Sequence, residues 1–268
     1  QEEITTDQAD YFVNYFNEFV AAAKASDFTN PDTGKHYSEY IDVPSWINEH
    51  ILRAMTLDPD GISQSTYLYK PRGGKIHYGP VWDFDRTMDS EDDNHRDRNP
   101  IGWTGPTPWW THVWWRELVW EPTKPDRGDP DFMQAYVDRY QELREGVLAL
   151  ENIDTVIDRL ETEIGQEAAD RNFARWPTVR PNGGQFAPGG ESDTWHGEIA
   201  HIKGWLKTRL EWWDTQFAAR PTINRRGGIV PEGSQLVMDG LDGPVYYTLD
   251  GSDPRLPGGG IAEAALPF

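Results

Sequence analysis

Two aspartates near the middle of the chain have the spacing of a metal-binding pair. They are Asp83 and Asp85, in the segment GPVWDFD at 79–85. Because side chains alternate along a β-strand, a strand here would place both carboxylates on one face and bury Trp82 and Phe84 on the other. Carboxylate pairs suit Mg²⁺, which also accepts water and phosphate oxygens. The alternative is an exposed Asp-x-Asp at a strand end that binds nothing.

A third aspartate, Asp60, precedes this pair in a way that is typical of phosphoryl transfer. It ends a helical pattern at Asp60-Gly61 and is followed by the hairpin that carries Asp83. A protein kinase has its catalytic-loop Asp and its metal-binding Asp in the same order. A turn residue that stops the helix is the alternative. The order makes Asp60 a candidate for the residue that orients an acceptor hydroxyl, and the residues alone leave both readings open.

A helix and a hairpin must position these acids. The apolar spacing from Trp46 to Met55 predicts a helix, and β-like runs at 65–70 and 75–84 flank the turn signal PRGG at 71–74. The runs should pair as an antiparallel hairpin. Since both connections are short, we expect the Asp60 and Asp83 carboxylates on one side of it, within about 12 Å, the reach of a shared Mg·ATP.

The remaining sequence predicts an α+β fold that is mostly helical. Apolar residues recur at intervals of three and four in several further stretches, whereas polar, Gly- and Pro-rich segments favour loops. The predicted helices are 8–24, 109–120, 130–149, 152–174 and 195–217, and the predicted loops are 88–108 and 177–192. After Pro221 the composition changes to Gly, Pro, Val and Tyr without a helical period, which predicts a separate β module.

Composition and charge narrow the functional classes. The 268 residues carry a formal net charge of -20 and contain no cysteine, so disulfides and a Cys nucleophile are excluded. Such an acidic chain repels phosphate backbones, which argues against nucleic acid as a partner. Divalent cations and basic polypeptides are better partners, although solubility alone could explain the charge. No apolar run is long enough to span a membrane.

The first 217 residues resemble the CotH kinase family of atypical protein kinases. The resemblance covers roughly residues 8–217 and rests on several segments in a fixed order. They are Asn48-Glu49, Asp60-Gly61, STYLYK at 65–70, GKIHYGPVWDFD at 74–85, WREL at 115–118, DF at 131–132, RYQELR at 139–144, RNFARW at 171–176 and IKGWLKTR at 202–209.

The resemblance implies a kinase-C-lobe-like domain that transfers the γ-phosphate of ATP to Ser or Thr of a protein. On it, Asp60 is catalytic, Asp83 binds the nucleotide through Mg²⁺, and Asp85 is a second metal ligand. Ser65 stands where a protein kinase has a metal-binding Asn, so it is the matching cofactor-binding position. The resemblance also implies a secreted or surface protein. The lobe that holds adenine is expected upstream of residue 1, and this fragment alone should be inactive.

The last fifty residues resemble the carboxy-terminal module of chitobiase and β-hexosaminidase, a small Ig-like β-sandwich. The signature is YYTLDGSDPR at 246–255, with Pro221-Thr222-Ile223 and Gly227-Gly228 before it. The expected domains are therefore 1–219, CotH kinase-like, and 220–268, a truncated β module. Such modules accompany surface proteins that act on polysaccharides, which makes cell-surface or polysaccharide association an expectation.

Two other functions remain open from the sequence. The terminal module, the Trp residues and the many carboxylates also suit an extracellular glycoside hydrolase or carbohydrate-binding protein. Helical spacing of most Trp residues favours a core role over a sugar platform. The missing Asn at position 65 also suits a non-catalytic surface module that binds a partner through the loop from Met88 to Trp110.

Overall fold

A computed structural model describes residues 4–58, 60–61, 64–89, 98–103, 113–119, 128–178, 194–225, 228–239 and 243–268. The chain divides into two compact units, Gln1–Leu210 and Glu211–Phe268. This division falls inside the last helix, whereas the composition predicts a domain boundary near residue 220. The assignment of 1–219 and 220–268 as functional domains stays a prediction.

Helices form most of the regular structure in the first unit. In the described part of the chain they are α1 (Thr6–Lys24), α2 (Val43–Thr56), α3 (Val113–Leu118), α4 (Pro130–Arg144), α5 (Leu150–Ile164), α6 (Gln166–Arg175) and α7 (Trp195–Asp214), with a 3-10 turn at Tyr37–Glu39. Together with small antiparallel sheets, they are consistent with the predicted α+β class. No helix among the described residues is long and apolar enough to cross a membrane.

Local signals set the helix ends. A capping box begins α1: the Thr5 side chain accepts from the amide of Gln8, and the Gln8 side chain accepts from the amide of Thr5. The Asp42 side chain caps α2 by accepting from the amide of Ser45, and left-handed Leu57, with φ 52°, ends the helix. The predicted helix at 152–174 is instead two helices, because Gly165 has φ 73° and interrupts the helical backbone.

The core of the first unit surrounds Trp46 of α2, which is fully buried. Its ring centroid lies 5.1 Å from Phe19, 5.2 Å from Tyr78 and 5.3 Å from Trp115. The indole nitrogen donates to the main-chain oxygen of Ile76 at 3.1 Å, so burial leaves this polar atom satisfied. The cluster fixes α2 against the hairpin that follows it.

A residue of α7, Arg209, also holds the carboxyl end of α2. Arg209 is fully buried and donates to the main-chain oxygens of Ala54, at 2.7 Å, and Pro100, at 2.8 Å. Burial lowers the pKa of the Arg209 guanidinium to about 9. A buried cation bonded to carbonyl oxygens at a helix end is a strong positional constraint on that end.

The hairpin after α2 is shorter than the sequence predicts. Strand β1 (Leu68–Tyr69) pairs antiparallel with β2 (His77–Tyr78), in the register Leu68 with Tyr78. One further bond, from the Gly79 amide to the Tyr67 oxygen at 2.9 Å, closes the ladder. The chain then leaves the sheet, and the predicted strand from 79 to 84 is wrong.

In the second unit, the described residues form two small antiparallel pairs. Strand β3 (Thr222–Ile223) pairs with β4 (Met238–Asp239), and β5 (Tyr246–Tyr247) pairs with β6 (Leu266–Pro267). After β5, the Asp250 carboxylate accepts from the amide and hydroxyl of Ser252. An Ig-like sandwich stays a prediction.

Candidate active site

The site is built around Arg53, a buried arginine in the last turns of α2. Its side chain donates to two carboxylates, Glu49 one helical turn earlier at 3.0 Å and Asp58 just after the helix. Its second terminal nitrogen donates to the main-chain oxygens of Ser65 at 3.0 Å and Trp82 at 3.2 Å. One guanidinium therefore ties α2 to both segments that carry the predicted catalytic acids.

Asp58, which Arg53 holds, in turn fixes the backbone of Asp60. Its Oδ1 accepts from the amides of Asp60 at 3.0 Å and Gly61 at 2.9 Å, an arrangement in which a carboxylate forms a turn with its own backbone. Gly61 is required here, because a Cβ at this position would collide with the Arg53 side chain and the Asp58 carboxylate. The backbone of Asp60 is thus fixed while its carboxylate remains partly exposed.

Ser65 joins the two aspartates that the sequence assigns to catalysis and to metal binding. Its amide donates to the main-chain oxygen of Asp60 at 3.1 Å. Its hydroxyl donates to Oδ2 of Asp83 at 2.7 Å. Ser65 itself is buried, whereas the Asp83 side chain is exposed. The structure therefore brings Asp60, Ser65 and Asp83 into one cluster.

Asp83 reaches this position through a tight bend rather than a strand. Its φ of 66° lies in the left-handed region, so alternation of side chains does not apply to it. Trp82 is consequently 45% exposed and packs on Tyr67 with ring centroids 5.4 Å apart. Phe84 is half-buried beneath the Arg53 guanidinium, 4.3 Å from the ring centroid. The prediction that both aromatic rings are buried opposite the acids is therefore wrong.

The segment after Asp83 is anchored to α2. The Thr87 hydroxyl donates to the Phe84 oxygen at 2.7 Å, and the Met88 amide donates to the Thr56 oxygen at 3.2 Å. Asp85 is exposed on this turn. It lies beside Asp83 in sequence, but the alternation that was expected to place the two carboxylates on one strand face does not occur.

Burial and charge act in opposite directions on the two carboxylates of the Arg53 cluster. Removal from water raises the pKa of Glu49 and of Asp58, and the Arg53 charge lowers both again without cancelling the rise. One buried cation thus serves two buried acids. This shortage of positive charge makes Arg53 hard to replace, because its loss would leave two buried acids without their cation.

Asp83 and Asp85 carry the oxygen donors that magnesium prefers. Both carboxylates are exposed, and Mg²⁺ is usually held by one or two carboxylates with water and substrate phosphates completing its shell. Within the described ranges, no group of three or more His, Asp or Glu side chains could hold a metal ion. The metal role of the pair stays a prediction.

The sequence predicted roles for Asp60, Ser65 and Asp83, which the structure brings together, but it gave no indication of Arg53, which holds their segments. Arg53 lies within an amphipathic helix pattern where arginines usually face solvent. Its spacing of four from Glu49 is a usable signal for an ion pair, although it cannot distinguish a buried pair from an exposed one. Most of the loop from Met88 to Trp110 that was proposed as a partner surface lies outside the described residues.

A family model described as CotH kinase protein matches residues 1–213. The chain therefore belongs to the CotH kinase protein family, and an atypical kinase-like function follows from that membership. No curated protein and no solved structure matches the chain.

Proposed function

We propose that this protein transfers the γ-phosphate of ATP to Ser or Thr side chains of a protein substrate with Mg²⁺. Family membership supports the kinase class. The observation that carries the assignment to this site is the double contact of Ser65, whose amide bonds to Asp60 and whose hydroxyl bonds to Asp83. It links the backbone of Asp60 to the carboxylate of Asp83, the two residues to which phosphoryl transfer would give different roles.

Each residue has a distinct task in this proposal. Asp60 accepts a hydrogen bond from the acceptor hydroxyl and orients its oxygen toward the phosphate, since positioning supplies much of the rate in such reactions. Asp83 is the principal Mg²⁺ ligand and Asp85 the second. Ser65 holds Asp83 through Oδ2 and takes the place of the Asn found in protein kinases. Bound Mg·ATP supplies the phosphoryl group and neutralises its negative charge.

The wider context of the proposal comes from the resemblances of the two parts of the chain. Residues 1–219 would form the kinase-C-lobe-like domain, and residues 220–268 an Ig-like module of the chitobiase type. Such a combination fits a secreted or cell-surface protein that associates with polysaccharide while it modifies a protein partner. Secretion predicts that the acceptor is itself an extracellular or surface protein.

Burial of the tryptophans weakens the alternative of a sugar-binding or glycoside-cleaving protein. Trp46, Trp115 and Trp205 are at most 1% exposed, so their rings are unavailable as a platform for a glycan. Trp82 and Trp176 are about half exposed, at 45% and 53%, but neither pairs with another exposed Trp among the described ring contacts. Phosphoryl transfer is therefore the better-supported proposal.

Nucleotide binding tests the proposal before any acceptor is known. The protein, expressed with whatever sequence its gene adds on either side, should melt at a higher temperature with Mg·ATP. A ligand at 100 times its Kd stabilises by about 2.7 kcal/mol. The shift should vanish with EDTA and in Asp83→Ala, but persist in Asp10→Ala, which removes an exposed carboxylate from α1. An equal shift in Asp83→Ala would reject the site.

A further inference from the structure

Two aromatic side chains next to the candidate active site are exposed to solvent. Trp82 is 45% exposed and Tyr67 is 52% exposed, and their ring centroids lie 5.4 Å apart. Val81, which directly precedes Trp82, is 58% exposed. We call Tyr67, Val81 and Trp82 the aromatic patch. Large apolar side chains that are exposed together commonly mark a surface where another molecule binds.

The aromatic patch adjoins the predicted metal ligand. Trp82 directly precedes Asp83, so their Cα atoms are about 3.8 Å apart. Ser65 bonds to Asp83 through its hydroxyl, and Tyr67, two positions after Ser65, packs on Trp82. The same two segments therefore meet twice, through a hydrogen bond at Asp83 and through the ring pair. A molecule bound at the patch would lie close to the phosphate that the proposed function transfers.

Hydrogen bonds fix the backbone on both sides of the ring pair. Arg53 donates to the main-chain oxygen of Trp82 at 3.2 Å, and the Gly79 amide donates to that of Tyr67 at 2.9 Å. Aromatic side chains on a fixed backbone lose little conformational freedom when they bind a partner. Such residues are typical anchors of binding surfaces.

The position of the patch favours the acceptor over the nucleotide as its occupant. Two further phosphates and a ribose separate adenine from the transferred phosphate. An extended peptide advances about 3.3 Å per residue, so the three residues on either side of an acceptor Ser or Thr lie within about 10 Å of it. The Tyr67 and Trp82 rings are inclined at 60°, so flat adenine could stack on only one of them. An apolar side chain can contact both.

We propose that the aromatic patch binds a large apolar side chain, such as Phe or Leu, within about three residues of the acceptor Ser or Thr. This inference rests on the proposed phosphoryl transfer and names the class of acceptor segment. It makes Tyr67 and Trp82 specificity-determining residues. Their contribution comes from removal of apolar surface from water, so it acts on kcat/KM for the acceptor and not on binding of Mg·ATP.

Transfer of labelled phosphate to short peptides tests this role. Each peptide has one central Ser among Ala and Lys, with Phe placed in turn at the flanking positions, and the reference peptide has no Phe. The wild type, with any flanking sequence of its gene, should use the best Phe peptide with about 10-fold higher kcat/KM than the reference.

Substitutions at the ring pair should remove this preference. In Trp82→Ala and in Tyr67→Ala, we expect the Phe and reference peptides to differ by less than about threefold, with an unchanged KM for Mg·ATP. Trp82→Phe keeps an aromatic ring and should retain part of the preference. Trp176→Ala, which removes an exposed Trp at the end of α6, should keep the full preference and is the matched control.

The outcomes separate this role from the proposed function. Equal use of Phe and reference peptides by the wild type, or a preference that survives in both alanine variants, would overturn the role of the patch alone. Autophosphorylation without transfer to any Phe peptide would also overturn it. A higher KM for Mg·ATP in Trp82→Ala, with the preference intact, would assign the ring to adenine instead. A wild type without any transfer activity would overturn the proposed function, and the role of the patch with it.

Discussion

The Ser65 hydroxyl lies 2.7 Å from Oδ2 of Asp83, and the same residue donates its amide to Asp60. Ser65 and Asp83 are 18 positions apart and meet because the hairpin folds back on itself. A buried hydroxyl thus orients an exposed carboxylate. In the proposed Mg²⁺ site, Ser65 would be a supporting residue that fixes the direction of the Asp83 ligand.

Removal of this hydroxyl should weaken metal binding more than folding. In Ser65→Ala we expect the Mg²⁺ dependence of nucleotide binding to shift to about 10- to 100-fold higher concentration, as for the loss of other supporting partners of metal ligands. The free energy of unfolding should fall by only about 1 kcal/mol. Ser252→Ala, which removes the hydroxyl that contacts Asp250, should change neither quantity at the site. Unchanged Mg²⁺ dependence in Ser65→Ala would contradict the assigned role.

Arg53 should be the most sensitive charged residue for stability. Arg53→Met keeps much of the side-chain volume but leaves Glu49 and Asp58 buried without their cation. We expect a loss of about 3–5 kcal/mol in the free energy of unfolding, measured by urea denaturation. Arg159→Met, at a largely exposed ion pair, should lose less than about 0.5 kcal/mol. Equal losses in the two variants would show that burial of Arg53 does not matter.

A single methyl group at Gly61 should disturb the same cluster. The added Cβ in Gly61→Ala would meet the Arg53 side chain and the Asp58 carboxylate, so the ion pair must move apart. We expect a destabilisation of about 1–3 kcal/mol and slower phosphoryl transfer, because Asp60 shifts with the turn. Gly243→Ala provides the control, since a Cβ there meets nothing within 4 Å. Wild-type melting and a wild-type transfer rate in Gly61→Ala would refute the packing of this turn.

Because His50 is buried, we expect the folded protein to lose stability in acid. His50 is buried in α2, its Nδ1 lies 3.0 Å from the Tyr136 hydroxyl, and burial lowers its pKa from 6.5 to about 3. Between pH 6.5 and about 3, His50 is therefore protonated in the unfolded chain but neutral in the folded chain. This stabilisation is complete above pH 6.5 and declines as the pH falls toward 3, by up to about 1.4 kcal/mol per pH unit.

The difference between wild type and His50→Gln isolates this contribution, because the other titrating groups are common to both proteins. Urea denaturation at a series of pH values should give a steeper acid decline for wild type than for His50→Gln. Parallel curves for wild type and His50→Gln would exclude a buried neutral His50.

The sequence was informative where local signals decide the structure. The apolar periodicity predicts α1 and α2 close to their observed positions, where Thr5 and Asp42 cap them. The turn signal at 71–74 correctly indicates the hairpin. Local patterns failed beyond Gly79, where tertiary contacts hold Asp83 in a left-handed conformation that alternation cannot anticipate.

The candidate acids were easier to find in the sequence than the residue that supports them. Asp60 and Asp83 stand out because carboxylates in that order have a recognisable use, and the structure brings the Asp60 backbone and the Asp83 carboxylate to Ser65. Arg53 resembles an ordinary surface arginine in the sequence. Its contacts depend on which distant groups face it after folding, and residue type and spacing do not encode that.

Transfer of labelled γ-phosphate from Mg·ATP is the most direct test of the assignment. The protein, produced with any flanking sequence of its gene, should phosphorylate itself or a mixture of Ser- and Thr-containing peptides, and EDTA should stop the reaction. Asp60→Asn and Asp83→Ala should each lower the rate by at least about 1,000-fold, since positioning and charge neutralisation supply most of the catalysis. Asp10→Ala should retain the wild-type rate. Full transfer activity in folded Asp83→Ala would contradict the assignment of this cluster as a phosphoryl-transfer site.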